Sequence, residues 1–486
     1  MYDFAIIGSG VSGARLAYEL SAGGARCVLL EAGRAFDRHT FPPDEMGYST
    51  AMFWGGGIEI SRDGRLGLLR GKCLGGTSVV NQADLDRFDD LALDDWRQRS
   101  GIGYFTLGEM QPHYEYLAGR VASTTIPQPH WNANAHAFVR GFEARGFDWQ
   151  PLHRSQTDCA LDKGSDCIVC LGGCPRDSKQ SALVTTIPAA LALGLEIETE
   201  VEVTALVHRP DEVLIHGRRR GHDRQFRCRR AILAAGALGT TALLARSAEM
   251  RRALPALGTR FACHPQYMSF GYFDEPIDAH KGPLQSVQSS DRGLREAGLK
   301  LENVFAPPIA ISMLMPGIRR RHHRAMKQYR HLACIEVAIR DEPLGTIRAG
   351  RDGRPQVDKP LSDVDRARIR RGLELVDDLL QAAGAREVIR CPQGFGLHLM
   401  GGCPIGVDPA HSVVDPQFQV HGYENLVVAD SSVFPSAPGI NPSLTIMALA
   451  HRAGQVLLGK STAAAITSEQ HQPHAAEARG GGTDGG

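Results

Sequence analysis

The feature that most constrains this chain is a glycine-rich turn near its amino terminus. Residues 4–7, Phe-Ala-Ile-Ile, predict a buried strand that runs directly into Gly8-x-Gly10-x-x-Gly13. A helix pattern at 12–22 and a second apolar strand at 27–30 follow. A strand, a tight turn, a helix and a parallel strand form a right-handed βαβ unit. The sequence therefore predicts an α/β domain.

The three glycines and one acid of this unit predict a dinucleotide site. Gly8 permits the tight turn, Gly10 lets a pyrophosphate approach the backbone, and Gly13 lets helix and strand pack closely. Free N–H groups and the dipole at the start of the helix favour phosphate. Glu31 ends the second strand, where its carboxylate can accept hydrogen bonds from ribose hydroxyls. This pattern favours dinucleotide binding over a purely structural turn, without distinguishing NAD from FAD.

Composition excludes some partners and favours one compartment. The chain has 54 Lys and Arg against 54 Asp and Glu, so a balanced charge gives no reason to expect nucleic acid. No segment reaches the ~18 continuous apolar residues of a membrane span. The amino terminus leads straight into a strand without the basic and apolar regions of a leader, which predicts a cytoplasmic protein.

A second glycine motif identifies the cofactor more closely. Residues 70–81 read Arg-Gly-Lys-Cys-Leu-Gly-Gly-Thr-Ser-Val-Val-Asn, and the Gly75-Gly76 pair lets backbone lie against a flat ligand. This string resembles the signature of the glucose–methanol–choline (GMC) family of FAD-dependent oxidoreductases. The resemblance implies that Gly75, Gly76 and Asn81 face FAD. Some members attach the flavin through a histidine in this loop. Valines occupy 79 and 80 here, so non-covalent FAD is expected.

The carboxy-terminal part resembles the same family. Residues 398–406 read His-Leu-Met-Gly-Gly-Cys-Pro-Ile-Gly, and residues 441–445 read Asn-Pro-Ser-Leu-Thr. The resemblance implies that His398 and Asn441 are the catalytic pair beside the flavin. Two positions, Gly402 and Ile405, depart from the family's usual Thr and Met.

The resemblance also assigns three further contacts to FAD. Asp430 falls on the acid that holds the ribityl and phosphate end. Pro442 begins the last helix, whose amino end faces the cofactor and favours negative charge. Val203 falls where a backbone contact to adenine is expected. We interpret two other histidines, His421 and His451, as structural.

The implied reaction is oxidation of a primary or secondary alcohol to a carbonyl, with a sugar, aminoglycoside, sterol or long-chain alcohol as substrate. A neutral imidazole at His398 would accept the hydroxyl proton, and the hydride would pass to the flavin. Asn441 would donate a hydrogen bond to the developing alkoxide. Two alternatives stay open: a redox-silent lyase with His398 as acid/base, and an electron-relay flavoprotein. The electron acceptor is oxygen, a quinone or a partner protein.

A group of cysteines gives the relay alternative its motivation. Cys159 precedes the run Cys167-x-x-Cys170-x-x-x-Cys174-Pro, whose spacing resembles the end of a ferredoxin-type iron–sulfur motif. Gly164 stands where the first cysteine of a regular run would be. An iron–sulfur cluster, a zinc ion and metal-free thiols all remain open interpretations.

The predicted fold class is α/β, with a discontinuous Rossmann-like FAD-binding domain and a second α+β substrate-binding domain built on an antiparallel sheet. The FAD-binding segments are predicted at 1–90, 190–262 and 396–462. A cap or substrate region with the Cys-rich loop spans 91–189, and the substrate-binding domain spans 263–395. Residues 463–486 are predicted to be a disordered tail.

Overall fold

The computed structural model describes residues 1–157, 159 and 167–460, and the predicted tail lies outside these residues. The described residues form two large sheets and a two-stranded ribbon. Their strands, in chain order, are β1 (Tyr2–Ile7), β2 (Cys27–Leu30), β3 (Glu59–Ile60), β4 (Leu66–Leu68), β5 (Trp149–Pro151), β6 (Glu196–Glu198), β7 (Val201–Arg209), β8 (Glu212–Arg219), β9 (His222–Leu233), β10 (Gln266–Tyr272), β11 (Val287–Ser289), β12 (Leu299–Asn303), β13 (Leu332–Ile339), β14 (Thr346–Ala349), β15 (Pro355–Asp358), β16 (Glu387–Arg390), β17 (Gly394–Gly396), β18 (Gln419–Val420) and β19 (Tyr423–Val428).

The α-helices lie mostly between these strands. In chain order they are α1 (Val11–Ala22), α2 (Glu45–Met52), α3 (Thr77–Val80), α4 (Asp90–Ser100), α5 (Leu107–Ala118), α6 (Ala133–Arg145), α7 (Thr186–Ala192), α8 (Gly236–Ala245), α9 (Ala248–Ala253), α10 (Arg292–Glu296), α11 (Pro308–Leu314), α12 (Arg319–Lys327), α13 (Asp363–Ala382) and α14 (Ser443–Leu457). Within the described ranges, none of the helices is long and apolar enough to span a membrane.

The first sheet is a parallel core extended by a meander. Its order is β18-β19-β9-β1-β2-β6, and the neighbours from β19 to β6 are parallel. β7 and β8 add to β9 as antiparallel strands. The central strand β1 is apolar and buried because helices cover both faces of such a sheet. Strands far apart in sequence therefore meet at one sheet, and α1 packs against α14 and α7.

The second sheet is largely antiparallel and has two unlike faces. Its order is β3-β4-β17-β10-β13-β12-β11-β5, with β16 paired to β10. Successive side chains alternate between the faces. One face carries apolar residues such as Leu301 and Val337 and packs against α6 and α13. The other carries Glu302 and Glu336, which are paired across β12 and β13. The predicted fold class, with a parallel sheet and a second antiparallel sheet, is confirmed, while the exact domain boundaries stay a prediction.

A fully buried ion pair stabilises the turn that leads into β10 of the second sheet. Lys359 Nζ lies 2.9 Å from Asp341 Oδ2, and neither side chain is exposed. Asp341 Oδ1 also accepts the backbone N–H of His264 at 2.9 Å, and Oδ2 accepts that of Cys263. His264 has a φ of 46°, a left-handed conformation that is uncommon for a residue with a side chain. Asp341 therefore stabilises a strained turn directly before β10.

We predict that Lys359→Met destabilises the protein by about 3–5 kcal/mol, because it leaves the Asp341 carboxylate buried without its cation. Urea unfolding of both proteins measures this loss. The matched control is Lys281→Met, which removes an exposed lysine paired with Asp278 and should cost no more than about 1 kcal/mol. Equal small losses in the two variants would contradict the role of the buried pair.

Candidate active site

The two predicted glycine loops and Glu31 meet at Ser9. The Ser9 hydroxyl donates to Glu31 Oε2 at 2.6 Å and accepts the Gly75 N–H at 2.9 Å. Glu31 also accepts the backbone N–H of Ser9 at 3.1 Å and that of Gly33 at 2.7 Å. Two loops that are far apart in sequence are thus held to one carboxylate at the carboxyl end of β2. Oε1 of Glu31 accepts only the Gly33 N–H and retains a lone pair for a further donor.

Steric requirements explain the glycines of these loops. A Cβ on Gly13 would lie 1.9 Å from the Gly8 carbonyl oxygen, and a Cβ on Gly76 would lie 2.8 Å from the Gly10 Cα. Gly8 has a φ of 102°, which disfavours any side chain. Gly10 differs, since no atom of the described residues lies within 4 Å of its Cβ position. The turn therefore leaves open space where a ligand can approach the backbone.

This open space continues into a cleft between two helix starts. α1 begins at Val11 and α14 at Ser443, and neither start has a side-chain cap within the described residues. A cleft lies between them, and its lining includes Val11, Ser78, Asn81, Ala182, Ser443 and Met447. Uncapped helix starts offer free N–H groups and a positive dipole end to phosphates or a negatively charged ring. The cleft, the glycine turn and Glu31 thus fit an extended dinucleotide.

Asp430 joins the first sheet to the carboxy-terminal motif. It is buried and accepts the Gly236 N–H at 2.8 Å, the Thr240 hydroxyl at 2.6 Å and the Ser432 N–H at 2.8 Å. Burial raises the pKa of this carboxyl. Val203, predicted to contact adenine, lies on β7, and its carbonyl accepts a guanidinium N–H of Arg246 at 3.0 Å. The Asp430 carboxylate and the Val203 carbonyl therefore both accept hydrogen bonds from other residues of the protein.

His398 follows β17 and contacts a second histidine. Its Nδ1 lies 3.1 Å from His264 Nδ1, and the two rings are nearly perpendicular. The backbone N–H of Gly439 donates to His264 Nε2 at 2.7 Å. Burial lowers the pKa of His264 well below its usual range and that of His398 to about 4. Both rings are therefore neutral at physiological pH.

These contacts assign the protons of the pair. His264 Nε2 uses its lone pair to accept the Gly439 N–H, so the single proton of neutral His264 is on Nδ1. That proton is donated to Nδ1 of His398. Neutral His398 consequently carries its own proton on Nε2, the nitrogen left for a ligand. In this arrangement His398 is a hydrogen-bond donor, which differs from the proton acceptor expected from the sequence.

Asn441 connects the carboxy-terminal motif to the polar face of the second sheet. Its buried side chain donates to Glu302 Oε1 at 3.1 Å, and its backbone N–H donates to Asp86 Oδ2 at 3.3 Å. Lys300 Nζ lies 2.5 Å from Asp86 and 2.8 Å from Glu302. Pro442 follows Asn441 and precedes the first residue of α14 without capping it by a side-chain hydrogen bond. Asn441 and its neighbour Pro442 thus lie between the cleft and a buried cluster of charges.

These charges belong to a cluster that was not predicted from the sequence, which we call the acid cluster. It comprises Asp84, Asp86, Glu302 and Glu336 together with Lys300 and Arg154. Charged residues at every second position of an apolar strand, as in Leu299-Lys-Leu-Glu, could have indicated this buried cluster. Burial and the nearby Glu302 raise the pKa of Glu336 well above its usual range, which favours its protonated form.

Asp84 has the environment of a group that exchanges protons near neutrality. Burial and the Glu302 charge raise its pKa to about 7. Its Oδ1 is 3.9 Å from Arg154 Nε, beyond hydrogen-bond distance. Within the described ranges, this oxygen has no hydrogen-bond partner. A buried acceptor with such a pKa is typical of a functional site.

The predicted metal site of cysteines is not supported. Cys159, Cys170 and Cys174 lie among the described residues and form no disulfide there, whereas the side chain of Cys167 lies outside them. In the described part of the chain, no three His, Cys, Asp or Glu side chains form a metal site. The loop instead meets Lys179, whose buried ammonium donates to the carbonyls of Val79, Asn81 and Cys170 at 2.6–2.9 Å. Lys179 therefore ties the Cys-rich loop to the second glycine motif.

The remaining carboxy-terminal positions have structural roles. His451 contacts His113 at 3.0 Å and stacks on Tyr116, while His421 bonds to the Ser412 hydroxyl at 2.8 Å. A Cβ on Gly402 would lie 2.2 Å from Thr241 Oγ1, which explains why the usual threonine is absent there.

Comparisons with known proteins find the family that the sequence resembles. Family models described as GMC oxidoreductase match residues 49–266 and 341–450. An uncharacterized GMC-type oxidoreductase of Sinorhizobium fredii is 30% identical over 95% of each chain. The long-chain-alcohol oxidase FAO4B of Arabidopsis thaliana is 25% identical over 92% of this chain and 66% of that one. The crystal structure of pyridoxine 4-oxidase from Mesorbium loti has the same fold, with a TM-score of 0.72 at 18% identity over 94% of this chain and 99% of that one.

The low pKa of His398 predicts how stability depends on pH. The folded-state value of about 4 lies below the unfolded value of about 6.5, so the unfolded chain binds the proton first as pH falls. Stability is therefore lost between about pH 6.5 and 4, by up to about 1.4 kcal/mol per pH unit for each such histidine. We predict that His398→Gln makes this decline shallower by up to that amount in urea unfolding at several pH values. Exposed His39→Gln is the control, and an unchanged slope in His398→Gln would contradict the assignment.

Proposed function

The chain belongs to the GMC oxidoreductase family, and from this premise we propose that it is an FAD-dependent enzyme that oxidises a primary or secondary alcohol to a carbonyl. One observation carries the proposal. His398 and Asn441, the two predicted catalytic residues, are connected to His264, Glu302 and the uncapped start of α14 beside the cleft.

The described residues provide a fitting site for FAD. The Gly8–Gly13 turn and the start of α1 would hold the pyrophosphate, and Glu31 the adenosine ribose. Asn81 would lie along the ring, and Asp430 near the ribityl chain. Val79 and Val80 occupy this part of the loop and are buried in an apolar cluster. The loop therefore has no histidine at these positions that could form a covalent link. When bound, FAD supplies the hydride acceptor.

Two donors would hold the hydroxyl oxygen of the substrate. His398 has its proton on Nε2 and can donate to that oxygen, and Asn441 has a second amide N–H beside the one bonded to Glu302. Donors fixed by other hydrogen bonds stabilise the negative charge that develops on the oxygen at little cost in reorganisation. His264 and Glu302 would thus act as positioning residues for this pair.

We propose Asp84 Oδ1 as the acceptor of the hydroxyl proton. Its pKa of about 7 makes it a suitable base at neutral pH, whereas burial makes His398 a weak one. The hydrogen bond from Gly439 also opposes the tautomer of His398 that could accept a proton at Nε2. Adopting that tautomer would leave a buried N–H without an acceptor, at a cost of about 1–3 kcal/mol.

Adding one methyl group at Gly10 tests the assignment of FAD as the cofactor. A side chain on Gly10 meets open space in the protein but would occupy the proposed pyrophosphate position. We predict that Gly10→Ala leaves the melting temperature of FAD-free protein unchanged and weakens FAD binding, measured by titration of flavin fluorescence. Gly103 also faces open space, so Gly103→Ala is the control. Equal FAD affinity in the two variants would contradict the assignment.

The reaction is tested by anaerobic mixing of FAD-loaded protein with alcohols while flavin absorbance is followed. The rate constant for reduction should rise with pH through about 7 as Asp84 ionises. Asp84→Asn should slow reduction about 10²–10⁴-fold and abolish this rise. His398→Ala should slow it about 10²–10³-fold and keep the rise.

Exposed Asp90→Asn is the control and should behave as wild type. A pH dependence that disappears in His398→Ala but persists in Asp84→Asn would show that His398, and not Asp84, is the base. Protein that converts a substrate without ever reducing its flavin would instead be a redox-silent lyase. Reoxidation of the reduced enzyme by oxygen, a quinone or a protein identifies the acceptor.

A further inference from the structure

We propose that the substrate is a polyhydroxylated alcohol that carries an amino group, bound by the polar face of the second sheet. This inference rests on the proposed function and names its substrate class. It depends on three observations: a buried row of polar side chains, acceptor oxygens without partners, and an imbalance of charge.

The polar row crosses three neighbouring strands. Gln288, Glu302 and Glu336 lie opposite one another on β11, β12 and β13. Lys300 and Gln266 occupy the next row of the same face, each paired with Ala338. All five polar side chains are buried, and burying polar groups is costly unless they are hydrogen-bonded. Such a row within apolar strands indicates a binding function.

Several oxygens of this region lack a donor. In the part of the chain that the structure describes, Gln288 Oε1, Gln266 Oε1 and Asp84 Oδ1 have no hydrogen-bond partner. The Gln288 amide N–H donates to Asp86 at 3.3 Å, which fixes the orientation of its carbonyl oxygen. All three atoms are acceptors, so a ligand that satisfies them must bring several O–H or N–H donors.

The charges of the acid cluster favour a cationic donor. Four carboxyl groups face two permanent cations, Lys300 and Arg154, while both nearby histidines are neutral. Lys300 is already shared between Asp86 and Glu302. Burial, and after it the Glu302 charge, raises the pKa values of Asp84 and Glu336, which favours their uncharged forms. A ligand ammonium would add positive charge to the cluster and favour the ionised form of Glu336.

A long hydrocarbon chain does not suit this face. The apolar side chains of the same sheet, such as Leu301 and Val337, point to the opposite face and are covered by α6 and α13. An alkyl chain on the polar face would leave the free acceptors unpaired and remove water from carboxylates. The substrate class therefore differs from the one in the name of the Arabidopsis relative.

The test compares glucamine (1-amino-1-deoxysorbitol), sorbitol and 1-dodecanol as anaerobic reductants of the FAD-loaded protein. We expect the second-order rate constant for glucamine to exceed that for sorbitol about 10–100-fold, the range for one charge-assisted hydrogen bond. Dodecanol should be the poorest of the three. Sorbitol equal to glucamine, or dodecanol superior to both, would overturn this inference and leave alcohol oxidation standing.

Glu336→Gln keeps the shape of the side chain and removes its ability to ionise. It should erase the preference for glucamine over sorbitol, measured as the ratio of the two second-order rate constants. The matched control, Glu387→Gln, alters an exposed glutamate on β16 of the same sheet and should keep the preference. A preference that survives in Glu336→Gln would overturn the assigned role of this residue.

Binding provides a readout that does not depend on turnover. Glucamine should raise the melting temperature of the wild-type protein more than sorbitol does, and this difference should vanish in Glu336→Gln. Such a shift without any flavin reduction would uphold the amine site and contradict the proposed oxidation. Equal shifts by both ligands in the wild-type protein would overturn the amine site.

Discussion

A single buried carboxylate, Glu31, holds the cofactor side of this protein together. Through Ser9 it connects the turn after β1 to the second glycine loop, and through Gly33 it fixes the chain beyond β2. The glycines are a consequence, because backbone atoms of the two loops approach to distances that leave no room for Cβ atoms. Gly10, which faces open space, is the position where a ligand would complete the packing. The arrangement leaves the starts of α1 and α14 uncapped beside one cleft.

The second constraint is the charge buried between the two sheets. Asp341 and Lys359 neutralise each other fully, and together they hold His264 in a strained conformation next to His398. The acid cluster is different, since four carboxyl groups share two cations. This difference distinguishes a structural ion pair from the substrate site that we propose. Burial, and after it the Glu302 charge, brings the pKa of Asp84 to about 7, and for this reason we assign the base to Asp84.

The sequence predicted the fold class and the components of the cofactor cleft, because glycine spacing and strand patterns are local signals. It placed His398 and Asn441 only through family resemblance. It could not predict that Gly439 and His264 set the tautomer of His398, since those contacts join residues 175 and 134 positions apart. The acid cluster was missed for a similar reason: alternating charges on β12 gain meaning only when β13 and the Asp84–Asp86 segment are placed beside them. The cysteine spacing left a metal site and metal-free thiols open, and the described residues support no metal site; Lys179 gives that loop a structural contact.

The central claim is that the protein removes a hydride from an alcohol carbon beside His398 and Asn441. The most direct measurement mixes FAD-loaded protein without oxygen with an alcohol deuterated at its carbinol carbon, and follows flavin absorbance and carbonyl product together. We expect one carbonyl to form per flavin bleached, and bleaching to be slower than with the undeuterated alcohol. Flavin that stays oxidised with every alcohol, in protein shown to be folded and to hold FAD, would contradict it.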